Sequence, residues 1–126
     1  MIMSVTSLKS LDELDQDFRK ALQRHKFGVL NVLDLKQTLG NKGIVLEREC
    51  RVYDICNPRA ASTALNSDMG ASVVLPCRVS VYQDGQTLTI ATVKPTDLMK
   101  ATDLNGVAEL ATEIEREVST MMREAA

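Results

Sequence analysis

Apolar residues along the chain follow two spacings. From Ser10 onward, Leu11, Leu14, Phe18 and Leu22 recur every three or four residues. That spacing predicts a helix over Ser10–Lys26 with one buried stripe. Ser10 and Glu13 form a capping-box pattern at its start. Gly28 follows the last periodic residue, where a terminating glycine is expected. The pattern then shortens. Val29–Leu33 is a brief apolar run that reads as a strand. Asp34–Leu39 has the length of one helical turn, with Gly40 and Gly43 behind it. Arg51–Cys56 is a further strand. Asn57 is a good N-cap and Pro58 suits a first helical position, so Pro58 to about Asn66 reads as a helix. Ser67–Gly70 reads as a loop.

Strict alternation appears in the second half. Val79 and Val81 alternate with Arg78 and Ser80, and Leu88 and Ile90 alternate with Thr87 and Thr89. The strands Ser72–Tyr82 and Gln86–Val93 therefore form a hairpin, with Asp84-Gly85 as a predicted type I′ turn with positive φ at both residues. Pro95 ends the second strand. A last helix runs from about Val107 to Glu124, with Leu110, Ile114, Val118, Met121 and Met122 as its stripe. Met121 and Met122 read as packing residues. The order of elements predicts an α+β, two-layer domain: an antiparallel sheet with helices on one face, as a single domain over residues 1–126.

Composition narrows the partners. The chain has 126 residues, a net charge of −2 and 3% aromatic residues. Its core is therefore aliphatic, and neither a basic face nor stacking aromatics point to nucleic acid. No apolar run approaches the roughly 20 residues of a membrane span. Three cysteines, an odd number, and no signal-peptide pattern place the protein in a reducing cytoplasm with free thiols.

The candidate chemistry lies at two strand ends. Cys56 precedes the helix that Asn57 caps, where free N–H groups and the dipole favour a thiolate. Cys77 alternates with Val79 and Val81 and so faces the core, while Arg78 points to the other face and is free to meet an anion. Cys56, Asn57, Cys77 and Arg78 are the candidate ligand-binding residues. Cys50 and its neighbours lack close paired ligands, so no metal site is expected. The lone His25 lies at a helix end beside Arg24 and Lys26, away from every cysteine, and reads as a boundary residue. No nucleophile–base pair or phosphate-binding loop appears, so no catalytic residue is assigned.

Several of these segments together resemble one family. Gly28-Val29, Asp34-Leu-Lys-Gln-Thr-Leu39, Ile55-Cys-Asn-Pro58, Leu75-Pro-Cys-Arg78 and Val81-Tyr-Gln-Asp-Gly85 are similar to the domain-of-unknown-function 302 family, from about Leu11 to Met122. The resemblance implies a TATA-binding-protein-like fold, β-α-β(4)-α, in single copy, with a first strand on Ile2–Val5. It also implies a homodimer. It implies no settled activity, and the cofactor stays unknown. Two functional expectations follow. One is a small cytoplasmic binding domain that takes a small ligand, a soft metal or sulfur at a pocket containing Cys56 and Cys77. The other is an accessory homodimeric module with inert buried cysteines.

Overall fold

Alternating burial defines five strands, and two long amphipathic helices cover one side of them. The computed structural model describes residues 1–126. The chain runs β1 (Ile2–Ser7), α1 (Leu11–Arg24), β2 (Gly28–Asp34), α2 (Leu35–Gly40), β3 (Cys50–Cys56), α3 (Pro58–Ser67), β4 (Cys77–Asp84), β5 (Thr87–Val93), α4 (Pro95–Lys100) and α5 (Ala108–Ala125). A 3-10 turn, Met69–Val73, joins α3 to β4. The strands form one sheet in the order β1-β5-β4-β3-β2, antiparallel throughout. With the short helices set aside, this is the expected β-α-β(4)-α plan. No helix is long and apolar enough to cross a membrane.

The main core lies between the sheet and α1 and α5. Leu14, Phe18 and Leu22 from α1 meet Val118, Met121 and Met122 from α5 over Tyr53, Ile55, Val79, Val81 and Ile90. Each such large side chain contributes about 1.5–3 kcal/mol when fully buried. Phe18 and Tyr53 pack edge to face with centroids 5.2 Å apart. The Tyr53 hydroxyl donates to Asp15 at 2.6 Å, and burial together with that carboxylate holds its pKa above the usual range. The opposite face is more open. Ser4, Thr6 and Arg78 are exposed there, and Val52, Ser80 and Tyr82 are half-buried.

A second, smaller cluster forms where β3 ends and β4 begins. Ala64, Ala71 and Val107 are buried in it, with Leu75, Met99 and Leu110 packed around them. Asp68 ties its loops together. One carboxylate oxygen accepts from the Gly70 amide at 2.8 Å and the other from the Asn105 amide at 3.1 Å. Residue 70 must be glycine for this contact, because a Cβ would lie 2.9 Å from Asp68 Oδ1 and 3.1 Å from Leu104. Glu115 of α5 accepts from the amide and the hydroxyl of Thr96, at 3.1 and 2.7 Å. It thereby caps α4, which has no side-chain cap of its own.

Most predicted boundaries hold, and the departures have local causes. Ser10 caps α1 as expected, with Glu13 N–H donating to Ser10 Oγ at 3.2 Å, but the Glu13 carboxylate accepts from the Ser10 hydroxyl at 3.3 Å and not from its backbone N–H, so the box is half formed. The helix is terminated by Lys26 rather than Gly28. Lys26 takes φ of 62°, and the Phe27 amide reaches back to the Leu22 carbonyl at 2.8 Å. This pattern satisfies the last carbonyls and anchors Phe27 in the core. Gly28 is instead the first residue of β2. The predicted strand over Ser72–Tyr82 begins only at Cys77, because the preceding residues belong to the 3-10 turn and its exit. The hairpin turn is shifted by one residue. Asp84 pairs with Thr87 and only Gly85 has positive φ, 62°, the type II′ pattern of sign rather than type I′. The helix α4 after Pro95 was not expected.

His25 joins α1 to α5. Its Nδ1 meets the Glu117 carboxylate and its Nε2 lies 3.1 Å from Glu124, which also accepts from Arg24 at 2.9 Å. Burial disfavours the imidazolium, but the hydrogen bonds and charges of Glu124 and Glu117 outweigh it and raise the pKa above the ordinary value. A raised folded-state pKa means stabilisation that is complete below the unfolded value and lost as pH rises through the folded one. Comparing urea midpoints at about pH 6, below the ordinary imidazole value, and at about pH 8.5, well above it, tests this. The wild type should exceed His25→Gln by more at the lower pH. An equal difference at both would contradict the paired imidazolium.

Candidate functional site

The sheet end closed by the second cluster is also where Cys56 and Cys77 lie. The register sets their places. Ile55 is opposite Cys77 on β3 and β4, so Cys56 is one residue beyond that pair. Cys77 falls on the helix-covered face with Val79 and Val81 and packs against the main core. Its thiol is pushed up to about 11, chiefly by burial and further by the nearby Cys56. It is a neutral thiol at ordinary pH. Cys56 ends β3 opposite Gly28 and is half-buried. Cys50 starts β3 opposite Tyr82, at the other end of the strand.

Asn57 caps α3 as expected, with its Oδ1 accepting from the Ala60 amide at 3.1 Å. That cap changes the chemistry beside Cys56. Pro58 has no N–H and the Ala60 amide is already taken, so this helix terminus has fewer free donors to offer a thiolate. Arg78 lies on the more open face, 72% exposed, opposite Asp54. Its Nε donates to Asp54 Oδ1 at 3.4 Å.

Cys56, Asn57, Cys77 and Arg78 all line one cavity of about 590 Å³. Of its 29 lining residues 23 are hydrophobic, so the interior is an apolar surface with few polar points. It reaches from Phe27, Ile55 and Val118 under the helices to Ser80, Tyr82 and Ala91 on the other face. The four residues picked out by sequence therefore line the same cavity, Cys77 from the helix-covered face and Arg78 from the more open one. Most of the cavity was missed. Ala60, Ala61 and Ala64 of α3 and Ala71 of the turn line it, and Leu98 and Met99 of α4 close it. The available signal was the run of alanines at helical spacing, Ala60-Ala61 and Ala64, which leaves room beside a helix instead of filling it. No group of three or more histidine, cysteine or acidic side chains is placed to hold a metal ion.

A family model described as domain of unknown function DUF302 matches residues 3–125. The crystal structure of an uncharacterized conserved DUF302 protein from Bacillus stearothermophilus is similar at a TM-score of 0.94 and 26% identity, covering 99% of this chain and 98% of that one. No curated protein matches the sequence.

The thiol environments predict a reactivity order. Cys77 should be the slowest of the three toward iodoacetamide in the native protein near neutral pH, because its thiol is buried and held protonated. Cys56, half-buried at the cavity wall, should be labelled before it. Peptide mass spectrometry after brief labelling reads the order. Labelling of Cys77 as fast as the other two would contradict the buried, neutral thiol.

Proposed function

The chain belongs to the domain-of-unknown-function 302 family, and from its cavity we propose that it is a binding domain for a small, largely apolar molecule. The observation that carries this reading is the cavity of about 590 Å³ with its aliphatic lining. Ligand pockets typically measure about 300–1,000 Å³ and combine an apolar wall with a few placed polar groups. Cys56, Asn57, Cys77 and Arg78 supply those groups. Cys77 serves as a polarizable wall rather than as a nucleophile, since its thiol stays protonated. A soft metal or a sulfur atom fits this lining less well, because such a ligand needs thiolates and the buried thiol resists ionising.

Homodimerisation is a separate part of the proposal. The apolar stripe of α5 is turned inward onto the core and is not available to a second copy. The surface that favours a second copy is the more open sheet face, where Ile2, Leu33 and Val93 remain exposed. A stable pair would bury on the order of 1,200 Å² or more. Light scattering at tens of micromolar, as an order of concentration, should give twice the chain mass. A single-chain mass would remove the dimer and leave the cavity reading untouched.

The cavity reading has its own test. Nile red, a neutral apolar dye, should bind the native protein saturably with increased fluorescence. Ala61→Phe places a ring in the cavity from α3, where residue 61 is half-buried. It should weaken the dye by about tenfold or more while changing stability by no more than about 1–2 kcal/mol. Absent binding, or equal binding by the variant with its fold intact, would contradict the proposal.

A further inference from the structure

Resting on the binding reading, we infer that the ligand is an amphipathic anion: an aliphatic body in the cavity and a single carboxylate at Arg78. Arg78 is the only charged side chain in the lining. Asp54 engages it through Nε alone, at 3.4 Å. A guanidinium has five N–H donors in a planar fork, so both terminal nitrogens remain available. They are the pair that grips a carboxylate through two parallel hydrogen bonds. Asp54 itself does not line the cavity. It holds the stem of the fork and leaves the two terminal nitrogens without a partner in the protein.

The remaining polar groups favour the same sign of charge. The Asn57 carbonyl oxygen is occupied by the Ala60 amide, so its NH2 group is what it has left to offer. Ser80 and Tyr82 bring hydroxyl groups on the face that carries Arg78. The Thr92 hydroxyl is already committed to the Arg78 carbonyl at 2.6 Å, which pins the backbone under the arginine. The one carboxylate beside Arg78 is Asp54, and none lines the cavity itself. Away from Arg78 the walls are Ile55, Ile114, Leu110 and Val118, with no partner for a second polar group on the ligand. A straight chain with one charged end matches this distribution. A doubly charged anion would find no second cation in the lining.

Competition against Nile red separates this inference from the reading beneath it. Dodecanoate, dodecanol and dodecylammonium share one chain length and differ in the head. Each is titrated below its micelle-forming concentration into the wild type, Arg78→Gln and Arg78→Lys. In the wild type dodecanoate should displace the dye at about tenfold lower concentration than dodecanol, with dodecylammonium weakest. The preference should fall to within about twofold in Arg78→Gln and be partly kept in Arg78→Lys, which retains charge without the fork. The ratio is read within each variant, so a change in dye affinity does not obscure it. Dye binding with equal displacement by all three heads would overturn the anion and leave the apolar cavity standing. A preference that survives in Arg78→Gln would overturn the role of Arg78. Failure of Nile red to bind the wild type would remove both readings.

Discussion

The aliphatic layer between the sheet and helices α1 and α5 positions everything else. With 3% aromatic residues the chain has few large side chains to fill space. It places two of them, Phe18 and Tyr53, against one another at the centre. Leucine, isoleucine, valine and methionine fill the surrounding volume. Polar ties then fix the two helices to each other and to β1. His25 bridges to Glu117 and Glu124, Lys9 reaches both Asp17 and the Ala125 carbonyl, and the Ser7 hydroxyl donates to the Ala126 carbonyl. The rest of the chain is arranged around that fixed body.

At the end of the sheet the packing changes in kind. The main core is built from large side chains, while the cluster around α3 and the 3-10 turn is built on alanine. Protein interiors ordinarily leave few voids larger than a water molecule. The space of about 590 Å³ is a cleft open to solvent, so it is a feature of the surface and not a packing defect of the core. Polar contacts brace α3, the turn and α4 in addition to the packing of Leu75, Met99 and Leu110. Asp68 holds the Gly70 and Asn105 loops, and Glu115 holds α4. A cap secured in this way can stand off the sheet and leave room beneath it.

The parts legible in the sequence are those set by local chemistry. The Ser10 N-cap, the Asn57-Pro58 helix start and the alternation of β4 all depend on residues close together in the chain. Alternation alone placed Cys77 inward and Arg78 outward, and the register agrees. The errors came where two local solutions compete. Gly28 and Lys26 both lie at the helix end, and the hydrogen bonds from Lys26 and Phe27 decided for the lysine. Asp84-Gly85 and Gly85-Gln86 are both plausible turn centres, and the pairing of Asp84 with Thr87 decided for the second. The cavity was not legible at all beyond those four lining residues. Its shape depends on space between α3, α4, α5 and the sheet, which no spacing along one segment reports.

The most direct measurement of the cavity as a binding site is a two-dimensional amide NMR titration with dodecanoate. Occupation of the cavity predicts saturable shifts in the amides of α3, the 3-10 turn, the first residues of β4, and α4 with the start of α5. Cys56 to Ala64 and Val73 to Arg78 should move most, and the β4–β5 turn at Gly85 should stay still. Shifts that never saturate, or that are confined to the exposed parts of β1 and β2, would contradict it.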